Sequence, residues 1–238
     1  MERIFIMTIS LTRGGAENQL MKLAIYLKKI GYDVKIICGK KENDFKAELE
    51  ENDIESIIFN YKSSRGLSSL IKFIKINQPK VILSFMFGAN IIGRLVKLAL
   101  NVPLVTSVRC NDISPFYFFL YKLTYKIDTV STFNSVYALN KFIEKGISVR
   151  NKSILINNAI SITNSKLDFN LDSTFTLVSL AHFRDSKDYI TLFEAIKIIK
   201  DNNLKINLYV LGHTYNYDWP QQMIKNLSIE DNVQIIGF

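Results

Sequence analysis

Two adjacent glycines stand where the sequence passes from a short apolar run, Arg3 to Ile9, into a segment with helical periodicity. In that segment, Asn18 to Ile30, the apolar residues recur at Leu20, Leu23, Ala24 and Leu27. Gly14 and Gly15 carry no Cβ, so their backbone N–H groups can approach a ligand, and a helix N-terminus adds partial positive charge. The pair predicts either a phosphate- or pyrophosphate-binding loop or a tight strand-to-helix turn without a ligand.

Two common nucleotide-binding motifs are absent from this region. The sequence contains neither Gly-x-Gly-x-x-Gly nor Gly-x-x-x-x-Gly-Lys-Ser/Thr, so dinucleotide-binding and P-loop interpretations have little support. A second polar cluster, Arg109-Cys110-Asn111-Asp112, follows the predicted fifth strand, Val102 to Val108. Parallel strands present functional groups at their carboxyl ends, which makes this cluster another candidate site.

Strand-like and helix-like segments alternate along the whole chain, which predicts a parallel α/β fold. A polar stretch from Ile160 to Ser173 is typical of a linker. A second unit then begins with the strand Phe175 to Leu180, and it has too few strands for a complete sheet. We therefore predict domains at 1–160 and 174–238, joined by a linker at 161–173, with the second domain only partly present.

The net positive charge of the chain comes entirely from its first part. Residues 1–160 carry 23 Lys and Arg against 13 Asp and Glu, a net charge of +10, whereas residues 161–238 carry 7 against 9, a net charge of −2. A basic domain suits anionic partners such as phosphorylated ligands or an anionic membrane, and it is also what a solvated lysine-rich surface looks like.

Two segments have the composition of either a membrane-docking helix or a core helix. Gly66 to Asn77 is amphipathic with basic residues on its polar face, and a crossover helix packed on the sheet is the favoured interpretation. Phe116 to Lys126 is strongly aromatic and contains lysines, and here too we favour packing in the core over contact with a membrane.

The remaining composition favours a cytoplasmic protein. Cys38 and Cys110 follow no metal-binding or redox spacing, and Cys38 ends an apolar run, so it is predicted to be a small buried hydrophobe. Glu2 and Arg3 lead straight into a strand, which does not resemble a signal peptide. No apolar stretch is long enough for a membrane span.

The order and spacing of several motifs resemble the retaining glycosyltransferases of family 4. These motifs are Gly14-Gly15-Ala16-Glu17, Phe133-Asn134-Ser135, Ile154 to Ile160, Val178 to Tyr189, Leu208 to Gly212 and Asp231 to Phe238. The resemblance covers nearly the whole chain and implies the GT-B fold, which consists of two Rossmann-like domains. In this case the N-terminal domain would be complete, and only the first part of the second would be present.

The resemblance implies roles for individual residues. Gly14 and Gly15 would face the donor pyrophosphate, and Lys187 would bind the same phosphates as a fixed cation. Family members usually carry Arg where this chain has His182, and Arg184 could substitute for it. Arg109 stands where many members have a sugar-contacting His, and it could reach sugar hydroxyls or phosphate. No metal, no cofactor and no catalytic base is implied.

The function implied by the resemblance is transfer of a hexosyl or N-acetylhexosaminyl group from a UDP- or GDP-linked sugar. The acceptor would be lipid-linked or a polysaccharide, in surface-glycan synthesis, and the enzyme would be peripheral on the inner face of the membrane. The nucleotide-sugar is the substrate, so no separate cofactor is expected.

Two other interpretations remain open from the sequence. The family's glutamate-bearing donor segment lies past the position of Phe238, so the chain would be a fragment or a truncated product that turns over poorly alone. As a truncated product, the chain would be an inactive remnant or an anion- or membrane-binding module. A nucleic-acid-binding role has little support, because no helix-turn-helix signature and no aromatic-basic strand motif is present.

Overall fold

A computed structural model describes residues 1–160 and 174–237. The chain divides into two compact units, unit 1 from Met1 to Ile162 and unit 2 from Thr163 to Phe238. The predicted linker, 161–173, lies outside the described residues.

Unit 1 is built around a seven-stranded parallel sheet with the order β3-β2-β1-β4-β5-β6-β7. Its strands are β1 Arg3–Thr8, β2 Asp33–Cys38, β3 Glu55–Ile58, β4 Val81–Phe85, β5 Leu104–Val108, β6 Val130–Phe133 and β7 Ser153–Leu155. Its helices are α1 Gly15–Lys29, α2 Lys46–Glu51, α3 Ser64–Asn77, α4 Met86–Leu100, α5 Pro115–Thr124 and α6 Val136–Glu144. The prediction of a parallel, Rossmann-like α/β fold is confirmed.

The strand order reverses beside β1, which pairs with β2 on one side and with β4 on the other. This reversal creates a switch point at the carboxyl edge of the sheet, the place where ligands bind in open α/β folds. The Gly14-Gly15 loop leaves the sheet at this point, because it directly connects β1 with α1.

Hydrophobic layers cover both faces of the sheet, as its continuous apolar strands require. On one face, α1 and α2 pack Leu20, Ala24 and Leu49 against the strands. On the other face, α3 and α4 do the same, and Leu70 and Ile74 of α3 are fully buried. The favoured interpretation of Gly66 to Asn77 as a crossover helix is therefore confirmed. The buried position of Cys38 is confirmed too.

The aromatic helix α5 differs from the favoured prediction. Within this helix Tyr121 is buried, but Phe116, Phe119 and Leu123 are 67%, 61% and 66% exposed. The sequence is apolar all around this helix, so periodicity could not show which face packs inward. The prediction of a core helix is right for the face that carries Tyr121 and wrong for the opposite face.

Several predicted boundaries also shift. The predicted helix from Asn43 to Asn52 is only α2, because Asn43 accepts a hydrogen bond from the N–H of Phe45 and forms a turn before the helix. The predicted strand from Asp128 to Thr132 begins at Val130, because the Asp128 side chain turns inward to Arg94. Neither shift changes the strand order.

Unit 2 contains a three-stranded parallel sheet with the order β10-β9-β8 and two helices. Its elements are β8 Phe175–Leu180, α7 Tyr189–Asp201, β9 Ile206–Leu211, α8 Trp219–Asn226 and β10 Val233–Gly237. Side chains of both helices pack against alternate residues of the strands, including Leu208 and Val210. In the part of the chain described here, no helix is long and apolar enough to cross a membrane.

Candidate functional site

The glycine loop of unit 1 places backbone N–H groups that have no acceptor among the described residues next to a carboxylate. Gly14 is the extended N-cap of α1, and among the described residues nothing accepts a hydrogen bond from the amides of Gly15 or Ala16. Glu17, in the first helical turn, places Oε2 2.5 Å from where a Cβ of Gly14 would lie. Its carboxylate therefore lies beside Gly14, so the loop presents donors and an acceptor together.

Glu17 also lines a cavity of about 240 Å³ at the switch point between β1 and β4. Thr8 and Ile9 from the end of β1 form one wall, and Phe87 and Gly88 from the start of α4 form another. A carboxylate in such a position suits recognition of hydroxyl groups. The sequence motif contained Glu17, but its residue type alone gave no role.

Arg109 is a half-buried cation at the carboxyl end of β5. Its Nε donates to Ser107 Oγ at 2.8 Å, and its Nη1 donates to Asn158 Oδ1 at 2.8 Å. The guanidinium also lies over the Phe85 ring, 5.3 Å from the ring centroid. Burial lowers the pKa of Arg109, and no carboxylate of the described residues pairs with it. The geometry is that of a preoriented anion- or hydroxyl-binding group.

In unit 2 the loop between β8 and α7 carries the predicted phosphate-binding residues. Phe183 anchors the loop in the core by stacking on Tyr189, with ring centroids 4.1 Å apart. Its neighbour Arg184 points away from the core and donates through Nε and Nη2 to the Tyr215 hydroxyl, at 3.2 and 2.8 Å. Sequence reasoning missed Tyr215, whose signal was the aromatic run His213-Thr214-Tyr215-Asn216-Tyr217.

Lys187 lies in a short 3-10 turn, Asp185–Lys187, directly before α7. It is exposed, and no described residue forms an ion pair or hydrogen bond with its ammonium group. The loop also contains Asp185 and Asp188, and Asp188 serves as the N-cap of α7 by accepting from the N–H of Thr191. Arg184 and Lys187 are thus two cations on one loop that are not paired with these carboxylates.

His182 supports the neighbouring loop that follows β9. Its Nδ1 accepts a hydrogen bond from the N–H of His213 at 3.0 Å, and His213 Nδ1 accepts from the N–H of Tyr215 at 2.8 Å. The two loops are also pressed together at Gly212, where a Cβ would lie 1.9 Å from the carbonyl oxygen of Ala181. His182 therefore helps to place Tyr215, the partner of Arg184.

The predicted residues fall into separate groups within their own units. In unit 1, Gly14 and Gly15 lie beside Glu17, and Arg109 lies beside Asn158. In unit 2, His182, Arg184 and Lys187 share one loop. Among the described residues, no group of three or more His, Cys, Asp or Glu side chains could hold a metal ion.

The sequence profile of the Glycosyl transferase 4-like family matches residues 9–143, which is more than half of the chain. The chain belongs to this family. The matched segment contains the glycine loop, the switch point and Arg109. The predicted enzyme class, a glycosyltransferase, is confirmed by this membership. No curated protein matches the chain by sequence.

Solved structures with the same fold include three informative cases. HepE of Anabaena, determined in complex with UDP, has a TM-score of 0.79 and 17% identity, over 100% of this chain and 69% of HepE. A glycosyltransferase from Rickettsia africae has a TM-score of 0.75 and 17% identity, over 99% and 68%. The lipopolysaccharide outer core galactosyltransferase WaaB has a TM-score of 0.69 and 14% identity, over 100% and 68%. At these identities the similarity establishes the fold, which is the predicted GT-B type.

Proposed function

We propose that this chain transfers a hexosyl or N-acetylhexosaminyl group from a nucleotide-sugar to a hydroxyl of a lipid-linked or polysaccharide acceptor, in surface-glycan synthesis. The observation that carries the proposal is the loop between β8 and α7 in unit 2, where Arg184 and Lys187 present two cations that no carboxylate of the described residues pairs with. HepE was solved with UDP and with UDP-glucose, which supports a UDP-linked donor, with a GDP-linked donor as the alternative.

The chemistry of the reaction explains why this loop needs cations. The acceptor oxygen forms a bond to the anomeric carbon and loses its proton, while the bond from that carbon to the donor phosphate breaks. The nucleoside diphosphate leaves with the electron pair, so negative charge grows on its terminal phosphate. The Lys187 ammonium and the Arg184 guanidinium, which Tyr215 holds, are suited to stabilise this charge where it develops. We therefore propose a metal-independent reaction, and we propose retention from the family 4 motifs.

Unit 1 supplies the groups suited to an acceptor. Glu17 offers a carboxylate for sugar hydroxyls at the switch point, and Arg109 offers donors for a hydroxyl or a phosphate. Gly14 and Gly15 remain proposed contacts of the donor pyrophosphate through their backbone amides. His182 has a supporting role in this scheme, because its ring nitrogen is engaged with the loop that follows β9.

The exposed face of α5 supports peripheral contact with an anionic membrane. Phe116, Phe119 and Leu123 recur at positions i, i+3 and i+7 and form one apolar face, which we call the α5 face. Lys122 and Lys126 are exposed beside it, and no acidic residue occurs between Ile113 and Ile127. Aromatic side chains flanked by lysines are typical of interfacial helices, so we propose that the protein binds peripherally to the inner leaflet, where lipid-linked acceptors lie.

The central test is binding of free UDP and GDP by calorimetry, which does not depend on turnover. We expect Lys187→Gln and Arg184→Gln each to weaken nucleotide binding roughly tenfold, because each removes one charge-assisted contact to phosphate. Lys225→Gln is the matched control, because Lys225 is an exposed lysine at the opposite end of the strands, in the last turn of α8. Equal binding by all three variants would contradict the proposal.

Two further measurements address the reaction itself. A transfer assay in the presence of EDTA is expected to match one without it, and a requirement for added divalent metal would overturn metal independence. The anomeric configuration of the product, determined by NMR, is expected to equal that of the donor. Inversion at this carbon would contradict the proposed retention.

A further inference from the structure

Unit 1 contains a cavity that the proposed donor chemistry does not use. It has a volume of about 440 Å³ and lies at the carboxyl edge of the sheet, past the ends of β1, β2 and β3. Ile9 lines this cavity and also the switch-point cavity that contains Glu17, so the two cavities share this residue. The cavity is therefore adjacent to the groups proposed to receive the acceptor.

The floor of the cavity is apolar and fixed in place. Ile9, Ile58 and the ring of Tyr61 form it, and the Tyr61 hydroxyl donates to the carbonyl oxygen of Ile37 at 3.0 Å. A Cβ at Gly39 would lie 2.7 Å from the Tyr61 ring, so the glycine allows the ring to pack against the end of β2. Burial raises the pKa of Tyr61 well above its ordinary value, so the phenol remains neutral.

The rim of the cavity is basic. Lys40, Lys41 and Lys62 line it, all three are exposed, and none forms an ion pair with a described residue. Some other lysines of unit 1 are paired, such as Lys28 with Asp53 and Lys35 with Glu55, and others, such as Lys29 and Lys72, are not, so it is the grouping of three unpaired lysines around one cavity that distinguishes the rim. Among the described residues, Glu42 is the only carboxylate that lines the cavity, which leaves an excess of two positive charges.

An apolar floor beneath an unpaired cationic rim matches a ligand with an anionic head and an apolar stem. We propose that this cavity binds the phosphate group of an amphiphilic acceptor, with Lys40, Lys41 and Lys62 around the phosphate and Ile9, Ile58 and Tyr61 against the adjoining aliphatic segment. That the ligand is an acceptor rests on the proposed function, and the inference adds that this acceptor carries a phosphate. Lys40 and Lys41 follow β2 and Lys62 follows β3, so the lysines approach the cavity from two loops and can contact a phosphate from more than one side.

The experiment is a titration of the full chain with octyl phosphate below its micelle concentration, alongside inorganic phosphate and the neutral octyl glucoside. We expect saturable binding of octyl phosphate, weaker binding of inorganic phosphate and none of octyl glucoside. The triple variant Lys40→Gln/Lys41→Gln/Lys62→Gln is expected to lose roughly tenfold or more in affinity for octyl phosphate. The matched control is Lys29→Gln/Lys72→Gln/Lys75→Gln, which removes the same charge from exposed helix positions and should bind like the wild type.

A second variant tests the floor without changing charge. Ile58 is 50% exposed at the end of β3, so Ile58→Asn should leave the sheet folded, and thermal melting verifies this. It should weaken binding of octyl phosphate but leave binding of inorganic phosphate unchanged. Equal affinities of the two lysine triples would overturn the proposal. If the wild type bound octyl phosphate and inorganic phosphate with equal affinity, the cavity would be a site for free phosphate. This result would overturn the proposal that it binds an amphiphile.

Parallel titration with UDP separates this proposal from the proposed function. The cavity triple should bind UDP as the wild type does, because none of the three lysines is among the proposed donor contacts Gly14, Gly15, Arg184 and Lys187. Binding of octyl phosphate without any binding of UDP or GDP would support the proposed phosphate-binding cavity and contradict the proposed nucleotide-sugar donor. Binding of UDP or GDP without binding of octyl phosphate would support the proposed donor site and contradict the proposed phosphate-binding cavity.

Discussion

At the scale of single residues, Cys38 shows how burial alone controls chemistry. The thiol is 2% exposed at the end of β2, and burial raises its pKa to about 12. In the unfolded chain a thiol titrates near its ordinary value of about 8.5. Between these values the native state keeps a proton that the unfolded state has lost, so stability falls as pH rises.

This difference predicts a pH-dependent loss of stability from one side chain. The free energy of unfolding of the wild type should fall relative to Cys38→Ala by about 1.4 kcal/mol per pH unit above the unfolded-state pKa, or about 2 kcal/mol between pH 8 and pH 10. Urea denaturation at these two pH values measures the difference. Parallel pH profiles of the two proteins would show that the native thiol ionises as easily as the unfolded one.

A second residue-scale prediction concerns the buried ion pair of Arg94 and Asp128. Nε and Nη2 of Arg94 donate to the two carboxylate oxygens at 2.8 and 2.7 Å, and both side chains are 1% exposed. The Arg94 guanidinium also lies 3.9 Å from the centroid of the Tyr121 ring. Removing one partner leaves the other charge buried without compensation, which costs about 3–5 kcal/mol.

We therefore expect Arg94→Met to lower the free energy of unfolding by about 3–5 kcal/mol, measured by urea denaturation. The double variant Arg94→Met/Asp128→Leu should recover part of this loss, because it removes both charges. If the double variant were as unstable as the sum of both single variants, the cost would come from lost packing and not from an unpaired charge.

At the scale of elements, the close approach of two loops in unit 2 holds the donor residues. Gly212 follows β9 and packs against the backbone of Ala181, where a Cβ added to the glycine would lie 1.9 Å from the carbonyl oxygen. That contact is to backbone, so no side-chain rotation can relieve it. The loop that would have to move carries His182, Arg184 and Lys187.

Gly212→Ala should therefore lower both stability, by about 1–3 kcal/mol, and affinity for UDP. Gly15→Ala is the matched substitution for stability, since nothing lies within 4 Å of its added Cβ and it stands in the first turn of α1. It should leave the melting temperature unchanged or raise it slightly. Equal destabilisation by the two variants would show that the packing at Gly212 does not constrain the loop.

The sequence predicted the helices and strands more readily than the side-chain contacts between distant residues. Periodicity and the glycine loop predicted a parallel α/β fold, because both depend on neighbouring residues. The contact of Arg184 with Tyr215 spans 31 positions, and that of Arg109 with Asn158 spans 49. These pairs meet only because parallel strands end at one edge of a sheet. The exposed α5 face was missed because packing, and not local pattern, decides which aromatic side chains are buried.

At the scale of the whole molecule, charge and apolar exposure coincide in unit 1. This unit holds the basic excess of +10 over residues 1–160, and it carries both the α5 face and the basic cavity. Anionic surfaces attract such a charge within a Debye length, about 10 Å at 0.1 M salt, while insertion of aromatic side chains does not depend on salt. Membrane binding should therefore have two separable components.

Flotation with phosphatidylglycerol vesicles tests this expectation. Binding should weaken severalfold between 50 mM and 500 mM NaCl, and vesicles of phosphatidylcholine alone should bind weakly at either concentration. The variant Phe116→Ser/Phe119→Ser/Leu123→Ser should lose binding that persists at high salt, because it removes the inserted side chains. Its matched control is Tyr26→Ser/Ile76→Ser/Leu98→Ser, three exposed apolar positions on α1, α3 and α4. If both triple variants bound vesicles equally, the α5 face would not be the docking surface, and charge alone would account for any attraction.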